Sequence, residues 1–478
     1  MVRLDIMDEL LNKKHIAKNV TKFNGQYDIM GSSVTPFLLL STFVAVSGSI
    51  TFGCATGYSS AAQAGIVQDL GLSTAQYSVF GSMLTFGSMF GAIASGKLAD
   101  LAGRKPTMLL MDTFFMIGWL AIIFAEGAWY LHLGRLSLGF ASGILSYVTS
   151  VYVAEITPKN IRGGFTAAQQ ILIGLGVSMT YFLGNVIAWR TLAVIGALPC
   201  LLHMVGLFFI QESPRWLAKI GQEKQFEDTL QRLRGVNADV TEEAAEIRDS
   251  IKSLHELSRS RFMEMFEKKY ALSLIVVIGT PVMVTLGGSM GMVFYLSSIL
   301  KVAGSPVSFG TTATALTQTA VAILGVLILD RSGRRVVLMA SLVGASLGSF
   351  LVCSAFVLQD LNQWKELTPA LVLIGIMVNL SSYAMASSIP GVIMSEILPL
   401  NIKGSAGSLT IFTYTFVSWN ISYVFNFLLE WSLSGTFFIF ATFSGLGVLF
   451  VAKMVPETKG RTLEEIEASM LISTDIVF

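Results

Sequence analysis

The sequence predicts an all-α membrane protein: twelve transmembrane helices in two six-helix halves, joined by a helical linker on one face. Three observations predict it. The 478 residues are 53% hydrophobic and only 13% charged, where a soluble chain carries roughly a quarter charged residues. Apolar runs of about 20 residues, the length that crosses a bilayer, recur twelve times. Finally, 28 of the 32 lysines and arginines fall on tails and loops that share one face.

Taken in order, residues 1–35 form a polar tail. No charged head runs directly into an apolar core, so no secretory leader is expected. Within the tail, Asp8-Glu-Leu-Leu11 has acids just before a leucine pair, as in a sorting signal or an ordinary amphipathic turn. The first half, 36–210, has spans near 36–58, 77–96, 106–125, 129–153, 166–187 and 191–210. Residues 211–269 contain EDTLQRLRG and EEAAEIRDSIKSLHELSRSRF, whose periodicity predicts short amphipathic helices on a soluble face. The second half, 270–454, has spans near 271–300, 309–329, 336–357, 369–397, 404–428 and 434–454, followed by a tail at 455–478.

The basic residues occupy both tails and loops 2–3, 4–5, 6–7, 8–9 and 10–11, which places both termini in the cytosol. Arg135 lies inside span 4, leaving Arg190, Lys301 and Lys365 for the other side. A net charge of +1 gives no reason to expect a nucleic-acid partner; the bilayer is the obligatory one. Cys54, Cys200 and Cys353 sit in apolar runs without disulfide or metal spacing. No nucleophile–base pair or ligand cluster points to an enzyme, a metal or a cofactor.

The halves repeat each other. Gly96-Lys-Leu-Ala-Asp-Leu-Ala-Gly-Arg-Lys105 after span 2 matches Asp330-Arg-Ser-Gly-Arg-Arg335 after span 8. Ala154-Glu-Ile-Thr-Pro-Lys-Asn-Ile-Arg-Gly163 matches Ser395-Glu-Ile-Leu-Pro-Leu-Asn-Ile-Lys-Gly404, and Glu212-Ser-Pro-Arg-Trp216 matches Pro456-Glu-Thr-Lys-Gly-Arg461. Parallel six-span repeats around a midplane site are the plan of rocker-type carriers. Asp100, Arg104, Glu155, Arg162, Glu212 and Arg215 are expected to tie the first half together on the charged face. Asp330, Arg334, Glu396, Lys403 and Glu457 are expected to do so in the second. Such a network would act as a conformational latch, intact when the cytosolic side is shut and broken when it opens.

Together these motifs resemble the sugar porter family of the major facilitator superfamily, across essentially the whole chain. Within it, FGCATGYSSAAQAGI (52–66) and FNFLLEWSLSGTFFIF (425–440) resemble the plant early-responsive-to-dehydration-six-like branch. The resemblance implies the major facilitator fold and alternating-access movement of a monosaccharide, a hexose or pentose, through a central cavity. A monomer is the expected form, in the vacuolar or plasma membrane.

The resemblance places a sugar-binding glutamine at Gln170, eight residues after Arg162, with Gln169 beside it, and a second amide at Gln318. An amide at mid-depth serves either a solute or a neighbouring helix. The other family positions depart from the pattern. A Gln-Gln pair and an asparagine in span 7 become Val284, Thr285 and Met290; Pro-Trp in span 10 becomes Pro390-Gly391; Asn-Trp in span 11 becomes Tyr414-Thr415. Thr285 and Tyr414 keep hydroxyls, and Trp419, Asn420 and Tyr423 lie further along span 11. Each lost hydrogen bond costs roughly 1–3 kcal/mol, so the cavity is expected to be rebuilt or weak. In span 7, Gly287, Gly288 and Gly291 read as a gating hinge and Tyr295 as its lid.

Proton-coupled members carry an aspartate in span 1 near the span 4 arginine. Arg135 is present, but the acid's position is Ala55. No other Asp or Glu is read as lying inside a span away from its cytosolic end, and His132 and His203, near span ends, read as structural. Facilitated diffusion is therefore expected. A proton-coupled carrier, and a non-transporting sensor that keeps the scaffold, are the alternatives.

Overall fold

The computed structural model describes residues 35–158, 162–257, 265–387, 389–399 and 402–459. The tail motif Asp8–Leu11 lies outside them. The first half comprises α1 (Pro36–Leu70), α2 (Thr74–Ala102), α3 (Arg104–Ile123), α4 (Ala128–Ile156), α5 (Arg162–Gly184) and α6 (Trp189–Leu207). The linker contributes α7 (Pro214–Lys219), α8 (Glu223–Arg234) and α9 (Thr241–Leu257). The second half comprises α10 (Ala271–Leu286), α11 (Ser289–Val302), α12 (Val307–Ser332), α13 (Arg334–Asp360), α14 (Thr368–Ala386), α15 (Ile389–Ile397), α16 (Lys403–Trp431) and α17 (Leu433–Met454). Span 7 is thus the pair α10 and α11, and span 10 the pair α14 and α15.

Local sequence explains the helix ends. Thr35 caps α1, its hydroxyl accepting from Leu38 N, and Pro36 follows where its missing N–H costs nothing. Ser73 and Gln76 form a reciprocal capping box on α2. α1 runs twelve residues past the apolar run that predicts it, to Leu70. The extension packs one side against protein, burying Ser59, Ser60, Ala62 and Ile66.

Ten helical segments among the described residues are long and apolar enough to span a membrane. α5 and α16 hold equivalent places in the two halves, and both are rich in glycine, serine, threonine and amide side chains.

Helix packing repeats between halves. α1 packs on α5 as α10 packs on α16, α2 on α4 as α12 on α14, and α3 on α6 as α13 on α17. The halves meet where α2 lies against α16, α5 against α12, and α1 against α11. α2 and α4 approach closely, since a Cβ on Gly139 or Gly143 would run into the carbonyls of Leu84 and Ser88, and α1 and α5 do the same at Gly53 and Gly176. Phe43, Ile93, Ile117, Leu202 and Leu347 are exposed along the outside, as a lipid-facing surface requires. The linker closes over Leu217, Phe226 and Leu230. Arg234 fastens it to the first half, donating to Ile156 O (2.8 Å) and to both oxygens of Glu243 (2.8 and 2.6 Å).

Candidate functional site

The glycine-rich stretch of span 7 is a true break. α10 ends at Leu286, and Gly288 takes the left-handed conformation (φ +78°) at the start of α11. Only glycine holds that backbone cheaply, and a Cβ there would also strike the Phe440 ring. Gly291 packs against Phe425 and Gly287 against the Ser444 hydroxyl just as closely. The buried Tyr295 is a second kink, with non-helical φ/ψ of −120° and 17°. Its ring stacks on Phe425 at 5.7 Å, its hydroxyl donates to Ser422 O (3.3 Å), and it reaches Tyr77 of α2 edge-on.

Beyond the kink, α11 closes one face of the molecule against the first half. Ser297 N donates to Ser60 Oγ at 2.8 Å, and Ser298 Oγ to Gln63 Oε1 at 2.6 Å. Tyr181 OH donates to Val293 O (2.7 Å), and Asn185 Nδ2 to Thr311 Oγ1 (3.2 Å). Thr74 Oγ1 donates to Glu430 Oε1 (2.6 Å). All of these groups lie toward the face opposite the charged loops, so that side is shut. Sequence reading picked out the hinge but none of the hydroxyls and amides that seal it.

The charged motifs form two braces, one within each half. In the first, Arg104 grips Glu155 with two parallel bonds of 2.9 and 2.8 Å and reaches Asp100 at 3.4 Å. Ser213 Oγ adds a bond to Glu155 (2.6 Å). Glu212 accepts from the backbone N–H groups of Arg104 (3.1 Å), Lys105 (3.0 Å) and Ser213 (2.7 Å) at the α3 N-terminus. Burial pushes the Glu212 carboxyl up, and those three N–H groups pull it back down. In the second half, Arg334 meets Glu396 by a single 3.2 Å contact, while Glu457 accepts from Arg334 N (3.1 Å) and Arg335 N (3.2 Å). Arg215 makes no ion pair among the described residues. Arg162, Asp330 and Lys403 lie outside the residues whose side chains are described. No described ion pair joins one half to the other.

The two neighbouring glutamines of α5 have different surroundings. Gln169 is buried and engages α4, accepting from Ser150 Oγ (2.7 Å) and donating to Ser146 O (3.2 Å). Gln170 is exposed and makes no hydrogen bond to a described residue. It shares a helix face with Gly174 and Ser178, which touch Thr319 of α12 where the halves meet. Gln318 is half-buried on α12, and its amide likewise makes no hydrogen bond to a described residue. Elsewhere in the second half, Tyr414 is half-buried and lies within electrostatic range of Tyr383 of α14, which the sequence reading did not single out. Thr285 spends its hydroxyl on Pro281 O (2.8 Å). Trp419 packs between Phe86 and Phe416 (5.2 and 5.7 Å), Asn420 bonds its own helix, and Tyr423 lies against Phe427.

Arg135 is fully buried in α4. Its guanidinium donates to Ala55 O and Ser59 Oγ and lies 5.0 Å from the Phe80 ring and 6.0 Å from that of Phe294. Its donors thus meet a carbonyl and a hydroxyl on α1, where no carboxylate stands.

One expectation needs correction. Asp112, eight residues into α3, is an acid inside a span, and it is fully buried. Its Oδ1 lies 2.9 Å from His203 Nδ1 of α6, also fully buried, so His203 is no mere span-end residue.

Two pseudo-equivalent six-helix halves, bonded to each other on one face beside a helix broken at Gly288, have the plan of a two-half membrane carrier. The profile of the family described as "Sugar (and other) transporter" matches residues 37–470. The sugar transporter ESL1 of Arabidopsis thaliana is 46% identical over 460 residues, covering 96% of this chain and 98% of that protein. The sugar transporter ERD6-like 10 of the same plant is 48% identical over 442 residues, covering 92% of this chain and 96% of that protein. The chain therefore belongs to the sugar transporter family. Among solved structures, the Escherichia coli xylose transporter XylE in an inward-open conformation superposes with a TM-score of 0.77, at 21% identity, covering 91% of this chain and 100% of that one. That likeness establishes the major facilitator fold.

Proposed function

We propose that this protein moves a monosaccharide, a hexose or a pentose, down its gradient by alternating access. In this account the charged face is cytosolic and the sealed face is the outer or lumenal one. The cleft offers uncharged hydrogen-bonding groups, Gln170, Gln318, Tyr383 and Tyr414, suited to a neutral polyhydroxylated solute. The close relatives bear the name sugar transporter. Gln169 belongs to helix packing in this reading, and Gln170 to the solute.

The observation that carries the uncoupled mechanism is the pairing of Arg135 with Ala55 O and Ser59 Oγ. Neither partner titrates in the physiological range, so a proton cannot make or break this contact. The experiment is saturable uptake of labelled hexoses, pentoses and polyols into proteoliposomes. At least one hexose or pentose is expected to show saturable flux, with Gln170→Ala raising KM. Absence of saturable flux for every sugar would favour a sensor.

A further inference from the structure

Asp112 of α3 and His203 of α6 form a buried pair inside the first half. Both side chains are fully buried, and both leave an atom unpartnered: Asp112 Oδ2 and His203 Nε2 have no hydrogen-bond partner. A buried ionisable pair with half its polar atoms unmet is costly, and well-packed apolar residues would be no worse for stability. Ionisable groups inside a membrane protein usually mark a binding or relay function.

The electrostatics around the pair are simple. α6 adds one more titratable group, Cys200, whose Sγ lies 3.3 Å from Asp112 O and 3.8 Å from Oδ1. α1 contributes Gly48 and no charge. The charged residues of α4, Arg135 and Glu155, are engaged with α1 and with Arg104. With Asp112 ionised and His203 neutral the site carries one uncompensated negative charge; one proton cancels it. Such a pair takes up protons as a unit, and imidazole is the side chain suited to doing so near neutral pH.

The pair also touches the helix that seals the cleft. A Cβ on Gly48 of α1 would lie 2.8–3.0 Å from Cε1, Nδ1 and Nε2 of His203, so the ring rests on the α1 backbone. The same helix carries Ser60 and Gln63, which bond α11 across the closed face. Any swing of the imidazole as it gains or loses Asp112 presses on α1.

We propose that Asp112 and His203 form a proton-binding site whose occupancy biases α1, and with it the seal against α11, so that the carrier cycles at a pH-dependent rate without carrying protons across. The site lies about 12 Å along α3 from the charged face, eight residues at 1.5 Å each.

The test has two arms. The first does not rest on the sugar reading. Gln63→Cys is introduced beside the native Cys54, Cys200 and Cys353, which are buried, and labelled from outside with a membrane-impermeant maleimide between about pH 5 and 8. The labelling rate is expected to change at least threefold across that range, and to become flat when His203→Gln or Asp112→Asn is added. The second arm repeats the series as equilibrium exchange of a transported sugar, with the same loss of pH dependence in both variants. Two variants are used so that poor folding of one leaves the other to decide. A flat profile in the Gln63→Cys parent, or an unchanged profile in a folded variant, overturns the proposal. Failure of sugar exchange alone, with labelling as expected, counts against the carrier reading and leaves the proton site standing.

Discussion

The two halves descend from one pattern yet differ wherever motion is needed. In the first half, spans 1 and 4 are single helices, Pro36–Leu70 and Ala128–Ile156. Of their counterparts in the second half, span 7 is broken after Leu286, where Gly288 takes the left-handed conformation. The braces differ the same way. Among the described residues, Glu155 is held by two guanidinium bonds and a hydroxyl, whereas Glu396 has one contact, and Arg334 Nε and Glu396 Oε2 have no partner. The family amide and indole positions also depart most in the second half, at Val284, Met290 and Gly391. In the proposed account this is a division of labour, with the first half as frame and the second as the part that bends and sets what fits. The braces hold elements within a half, and they are made while the opposite face is shut.

The largest expected effect comes from breaking the frame. Arg104→Ala strands Glu155 in a setting with 14% side-chain exposure, and loss of one partner of such a pair costs on the order of 3 kcal/mol. A clear drop in unfolding temperature in detergent checks it. If Arg334→Ala lowers that temperature as much, the contrast between the halves fails. Next comes the hinge: Gly288→Ala forces a side chain into a left-handed backbone, at about 1–2 kcal/mol, and against the Phe440 ring. Sugar flux should fall at least tenfold while the protein still inserts and purifies. Flux near wild type would remove the hinge from the account.

A smaller effect separates adjacent residues. Gln170→Ala should raise KM five- to tenfold, from one lost hydrogen bond of about 1 kcal/mol, with an unchanged unfolding temperature. Gln169→Ala should do the reverse, lowering that temperature and sparing KM. Smallest of all, Glu396→Gln keeps an oxygen that can accept from Arg334 and loses only the charge of one 3.2 Å contact, about 1 kcal/mol or less, and should change stability barely measurably.

Much of this was legible beforehand, for reasons that differ by residue. Span count and repeat follow from run length and from where lysine and arginine fall, both local properties. The break in span 7 could be read because Gly287 and Gly288 are poor choices for an uninterrupted helix. The extension of α1 to Leu70 could not, because the protein cover on one of its sides comes from other helices. Gln169 and Gln170 are adjacent, and only packing shows that one is bonded to α4 and the other is exposed. Asp112 and His203 stand 91 positions apart, each within two turns or so of a span end, so nothing local joins them. Depth counted in residues would have flagged Asp112 alone.

The central claim is a sugar carrier whose Arg135 contact no proton can switch. Its most direct test is the steady-state distribution of a transported sugar in proteoliposomes under an imposed proton gradient. The account predicts equal sugar concentrations inside and out at every gradient, with only the rate of approach depending on pH. Accumulation that tracks the proton gradient, and collapses when a protonophore is added, would contradict it.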